Sequence, residues 1–212
     1  MRSAHATTTI YFDGSGLPPN NTGDIPATFA DFASVDTPGY TVSLGAVVVG
    51  TPNINLTWGP GSGGVVEYYQ NWDGRGDVAQ LDFNRPIGVG SAFIDLSFAP
   101  DPGWGVLISS FDLDKFSGGA TMDVNWSIFD GSGTLASGNF LSASGRQTFS
   151  PVYSRNADIG STVTFRFTYN SGPGSYFAID NLVFDQVPEP SSAGLMALGL
   201  GLGAAAMRRR RT

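Results

Sequence analysis

The stretch Tyr68-Tyr69-Gln70-Asn71-Trp72-Asp73-Gly74-Arg75 sets three aromatic rings beside a carboxylate, two amides and a guanidinium. Aromatic faces stack on the apolar faces of sugar rings, while nearby donors and acceptors bond the hydroxyls. Tyr69, Trp72, Asp73 and Arg75 are therefore the candidate carbohydrate-binding set. Trp58 and Trp104, each next to glycine, are weaker candidates. The competing reading makes these tryptophans plugs at the ends of a β-sandwich core. If Trp72 is a stacking platform, Trp72→Ala abolishes glycan retention and leaves the fold intact. Arg75-Gly76-Asp77 spells an adhesion tripeptide, a match expected by chance in a chain with 29 glycines.

Catalytic chemistry has few carriers. His5 is the only histidine and there is no cysteine, so a Ser-His-Asp triad in the body, a histidine-based zinc centre and a thiol nucleophile are excluded. Paired carboxylates remain, because glycoside hydrolysis needs only an acid and a base or nucleophile. The body has one glutamate, Glu67, alternating with apolar neighbours as a solvent-facing strand residue does. Six of the sixteen aspartates, Asp13, Asp24, Asp73, Asp77, Asp130 and Asp180, adjoin Gly, Ser or Asn, where they cap turns. Asp112 and Asp114, two apart in a strand-like run, could share one face; a solvated strand edge is the simpler expectation. No catalytic residue is assigned.

The elements that must position these residues read as strands. Thr162–Tyr169 alternates polar and apolar side chains without a break, with Val163, Phe165, Phe167 and Tyr169 on one side. Met122, Val124, Trp126 and Ile128 repeat the pattern. Further strand candidates are Thr7–Phe12, Tyr40–Val49, Asn53–Trp58, Val65–Tyr69, Val78–Phe83, Ala92–Ala99, Val106–Leu113, Thr134–Phe140, Gln147–Val152 and Phe177–Phe184. Asp130-Gly131-Ser132-Gly133 is a hairpin turn between two of them. No body segment holds a helical period, so the fold class expected is all-β, a jelly roll or β-sandwich. Residues 7–186 carry 6 basic and 17 acidic side chains, a net charge near −11 that repels phosphate backbones and argues against nucleic-acid binding.

The C-terminus has a different composition. Val187, Pro188, Glu189 and Pro190 precede Ser191-Ser192, an uncharged run Ala193–Met207 of Ala, Gly, Leu and Met, and then Arg208, Arg209, Arg210 and Arg211. As a helix the run spans about 22 Å, short of the ~30 Å hydrocarbon core unless Ser191–Ser192 and snorkelling arginine stems extend it. The arginines act as a membrane stop on the cytoplasmic side, leaving the body outside. The two prolines are expected to keep the segment out of any preceding strand. Motif, apolar helix and basic end, in this order, resemble the PEP-CTERM sorting signal of bacterial envelope proteins. That resemblance implies recognition by an exosortase, a membrane-embedded cysteine transpeptidase, and removal of a transient inner-membrane anchor. It also links the chain to exopolysaccharide production and biofilm. At the other end, Ala4-His5-Ala6 has the form of a signal-peptide cleavage site without an apolar stretch before it, as if the start codon were called too late or the chain trimmed. The expected organisation is a leader remnant at 1–6, an extracellular β-domain at 7–186 and a sorting tail at 187–212. The tail divides into the motif 187–192, the apolar helix 193–207 and the basic end 208–212.

Gly103–Leu113 and the closing strand Phe177–Phe184 also resemble segments of sorting-signal proteins with a galactose-binding-like jelly roll. That likeness implies a structural calcium where an early segment meets the last strands, with Asp13, Asp31 and Asp180 as ligands; calcium's need for several oxygen donors suits aspartates. Simple turns at Asp13-Gly14 and Asp180-Asn181 are the competing reading. Together these features point to an exported, non-catalytic envelope or matrix protein, with exosortase and exopolysaccharide as partners. The alternative is a secreted carbohydrate-active enzyme using aspartates.

Overall fold

Apolar side chains at every second position, seen in Met122–Ile128 and Val163–Tyr169, are buried while their neighbours face outward. This is the pattern of a sheet with one face against a core and one toward water. The computed structural model describes residues 7–10, 12, 23–24, 41–42, 54–59, 65–69, 71–82, 93–116, 121–142, 145–154, 156–171 and 176–188. Among them lie thirteen strands and a single three-residue 3-10 turn, Trp72–Gly74.

The strands in chain order are β1 (Thr7–Ile10), β2 (Gly23–Asp24), β3 (Thr41–Val42), β4 (Ile54–Gly59), β5 (Val65–Tyr69), β6 (Val78–Asp82) and β7 (Phe93–Pro100). After them come β8 (Trp104–Lys115), β9 (Met122–Asp130), β10 (Gly133–Ser142), β11 (Gly145–Phe149), β12 (Val163–Ser171) and β13 (Tyr176–Pro188). One sheet has the order β10-β9-β12-β7-β4. The other runs β11-β8-β13-β6-β5-β2, with β1 joining β13 and β3 joining β1. The pairing is antiparallel apart from β1 with β3. The described residues are all-β, a two-sheet sandwich.

One buried cluster joins the inner faces. Ile54, Leu56, Ile94, Leu96, Phe98, Phe165 and Phe167 come from the five-stranded sheet; Leu81, Phe111, Leu113, Phe177, Ile179 and Phe184 come from the other. The expected hairpin at Asp130–Gly133 is present: the Asp130 carboxylate accepts from Ser132 N–H at 2.9 Å and Gly133 N–H at 3.2 Å, and Gly133 takes φ of 136°, open to glycine alone.

Several strand limits differ from those expected, and one strand, β2, was not expected. β11 stops at Phe149 rather than Val152, because Pro151 has no N–H to continue a ladder. β2 is two residues long, below the length at which alternation is visible. β13 runs four residues past Phe184: Val187 pairs with Gly105 and Pro188 with Trp104. The expectation that the prolines exclude this segment from the preceding strand is thus corrected for Pro188. A proline is accommodated at a strand end, where one missing donor leaves the rest of the ladder intact.

Candidate functional site

The outer face of the larger sheet is assembled from an i, i+2 rule. Leu113 and Phe111 of β8 point into the core, so Asp112 and Asp114 point out together. Arg146 of β11 lies opposite Asp114, and Thr148 opposite Asp112. On the other flank Asp180 of β13 lies opposite Asp112. Just after it, Asn181 adopts a left-handed φ of 47° and the register slips. That bulge switches the inward set of β13 from Phe177 and Ile179 to Leu182 and Phe184. Asn181 tolerates the conformation and turns its amide Nδ2 to Asp112 Oδ2 at 2.7 Å.

Loop 71–77 folds over this face. Asn71, Asp73, Gly74 and Gly76 all have positive φ, a conformation that costs non-glycine residues energy unless the surroundings hold it. The holding contacts are specific. Tyr68 donates its hydroxyl to Asp77 Oδ2 at 2.5 Å, and Asn71 N–H donates to Asp77 Oδ1 at 2.9 Å. Trp72 N–H reaches the Gly76 carbonyl at 2.6 Å. Trp72 itself is fully buried on Val78 and Ala178, edge-on to Tyr69 at 5.2 Å and Phe116 at 5.3 Å.

Arg75 then reaches across to β8. Its Nε and Nη2 donate to the two oxygens of Asp114 at 2.8 and 2.7 Å, and its Nη1 to Asp73 at 2.7 Å. Those carboxylates raise the guanidinium above its ordinary value, the Asp114 hydrogen bonds foremost, with burial opposing. Arg146 donates Nε to Asp114 at 3.2 Å, places Nη1 3.1 Å from Asp180 and 3.7 Å from Asp112, and bonds the Arg75 carbonyl at 3.3 Å. Thr148 donates to Asp112 at 2.6 Å. Four carboxylates thus share two guanidiniums, and the Asp114 side chain is only 2% exposed.

The four candidate ligand residues are brought together, but not as a stacking platform. Trp72 has no ring face open to a ligand, because a loop that must cross a sheet needs an apolar anchor beneath it; the platform reading is corrected. Tyr69 is half-buried against it, and Asp73 and Arg75 reach the surface as an ion pair. Trp58 is likewise buried, against Phe12. Asp112 and Asp114 are buried rather than on a solvated edge, which corrects that expectation; the sheet continues past them on both flanks, through β11 and β13. Arg146, Thr148 and Asn181 escaped the sequence reading. Arg146 and Thr148 share the two-residue spacing of Asp112 and Asp114, the one signal that could have paired them.

Asp180 is buried, with Oδ2 on Arg146 and Oδ1 accepting from Asn181 N–H at 2.8 Å. Its two oxygens thus serve a guanidinium and a backbone N–H. Among the described residues no group of three or more acidic or histidine side chains could hold a metal ion. Asp13 and Asp31 lie outside the described residues. So do Glu189, Pro190, the run 193–207 and Arg208–Arg211. Among the described residues no helix is long and apolar enough to cross a membrane.

The smaller sheet also has a polar outer face. Arg166 pairs with both oxygens of Asp95 at 2.7 Å and lies 4.0 Å from the Phe93 ring centre and 5.1 Å from that of Phe129. Asn139, Asn125 and Asn170 bond one another and Asp123.

Residues 186–211 match the family model described as the PEP-CTERM protein-sorting motif. The tail is a PEP-CTERM sorting signal. It implies export with a transient membrane anchor and processing by an exosortase. No curated protein matches the chain in sequence. Among solved structures, the chain is similar to a Stig cyclase, Fisc, from Fischerella sp. TAU, at 15% identity over 87% of this chain and 100% of that one, TM-score 0.46. It is similar to a family 11 carbohydrate-binding module from Clostridium thermocellum in complex with a mixed-linked tetrasaccharide, at 16% identity over 66% and 93%, TM-score 0.36. It is also similar to the arabinose-bound α-L-arabinofuranosidase MgGH51, at 11% identity over 85% of this chain but 32% of that one, TM-score 0.42. At these scores the likenesses assign neither ligand nor activity.

Proposed function

We propose that this chain is a non-catalytic envelope or matrix component whose β-sandwich is presented outside the cytoplasmic membrane and binds exopolysaccharide. The observation that carries the reading is the sorting signal, which begins within the last strand of the sandwich. The polysaccharide contact is assigned to the rim formed by Tyr69, Asp73 and Arg75, with Trp72 anchoring the loop from below. The net charge of the body, near −11, favours an uncharged polymer over a polyanionic one.

The rival reading, a glycosidase using aspartates, has less support. Asp112, Asp114 and Asp180 are buried and held by arginines, whereas a catalytic pair flanks a substrate with carboxyl groups about 5 to 9.5 Å apart. Electrophoresis in gels containing the host's exopolysaccharide tests the proposal. Saturable retardation weakened by Asp73→Asn, a change that tolerates the left-handed backbone, supports it. No retardation removes the binding claim, and new reducing ends on incubation would install the enzyme.

A further inference from the structure

The sorting signal and the folded domain share residues. Val187 and Pro188 open the signal and close β13, opposite Gly105 and Trp104 of β8. On its other side β13 is paired by β1 only from Leu182 to Asp185, so Gln186–Pro188 is held by β8 alone among the described strands. This end of the ladder is weak by construction. Pro188 has no N–H to give, and Gly105 has no side chain to pack across the strands. From Pro188 to Ala193 the chain can reach at most about 18 Å, so the sandwich sits close to the start of the apolar run.

We propose that the end of β13 is a latch on processing: the pairing of residues 186–188 with 104–106 must open before an exosortase can engage the motif. The inference rests on the sorting reading above. A cysteine transpeptidase attacks a peptide carbonyl carbon with its thiolate, forming a thioester as the C–N bond breaks and the amine leaves with a proton. An acceptor nucleophile or water then releases the thioester. To bind and align the chain for that attack, the enzyme needs the backbone groups that a sheet partner occupies. Cleavage through a transient opening follows the population of the open form, so the stability of this strand end sets the rate. A domain still folding would leave the latch open, and a finished one would close it; the latch ties processing to the state of the domain.

The test uses the full chain in its native host and follows loss of the tail by intact mass after a pulse of synthesis. Val106 and Gln186 are directly opposed, at the Cα spacing of about 4.5–5.5 Å that a disulfide accepts. The natural chain has no cysteine to interfere. Val106→Cys with Gln186→Cys, oxidised after export, should retain the tail at least tenfold longer than either single variant, and added reductant should restore processing. A four-residue Gly-Ser spacer between Gln186 and Val187, which moves the motif off the strand, should be processed several-fold faster than the natural chain. Processing of the oxidised pair at the natural rate overturns the latch. If the cysteine pair does not fold, the spacer decides: acceleration supports the latch and an unchanged rate overturns it. A natural chain that never loses its tail contradicts the sorting reading itself, which separates the two failures.

Discussion

Trp72 and Arg146 hold loop 71–77 to the larger sheet by different physics. Trp72 fills the apolar floor beside Val78 and Ala178, so Trp72→Ala opens a cavity and should cost roughly 3–5 kcal/mol in urea unfolding. It is therefore a probe of stability, not the clean binding probe that its sequence context suggested. Arg146 lies against three buried aspartates, Asp112, Asp114 and Asp180, and its removal takes a positive charge away from all three. Arg146→Ala should cost toward the lower end of about 3–5 kcal/mol, because a quarter of its side chain faces water. With Asp180 held by Arg146, a chelator should leave the melting temperature unchanged, and a fall of several degrees would place a bound ion in the fold. The residues at this site were legible in the sequence one by one. Their grouping was not: Arg146 lies 71 residues from Arg75, and only sheet pairing brings them together.

At the scale of elements, alternation in β9 and β12 was strong enough to give their inward and outward faces. What alternation hides is the bulge at Asn181, where a left-handed residue flips which side chains of β13 face inward. It also hides the small residues that close packing demands. A Cβ at Gly138 would lie 2.3–2.8 Å from the Trp126 ring, so Gly138→Ala must displace that ring and should destabilise by about 1–3 kcal/mol. Tyr153 replaces a missing strand beside β8: its hydroxyl accepts from Ile108 N–H and donates to the Ile108 carbonyl, both at 2.9 Å. Burial pushes this phenol up to about 12 from 10.0, against the opposing hydrogen bond. The folded state then keeps the proton while the unfolded chain has lost it. Stability is intact below pH 10 and should fall as pH rises toward about 12, with at most one proton's dependence. Tyr153→Phe should flatten that alkaline fall, read from melts at several pH values; an unchanged fall would place its origin in another tyrosine.

For the whole molecule, the division between body and tail was readable because composition changes sharply after Pro190, while the body's acidic charge disfavoured nucleic acid. The join between them was not readable, since strand pairing rather than composition carries β13 into the motif. Domain and address are consequently one continuous structure up to Pro188. Removal of the sorting tail from an exported sandwich is the event on which this function turns. Intact mass of the protein from host cells, fraction by fraction, tests it most directly. The expected result is a species outside the cytoplasmic membrane that ends near Val187–Pro190 and lacks the mass of Ala193–Thr212. A cytosolic species that retains Thr212, with none outside, would contradict it.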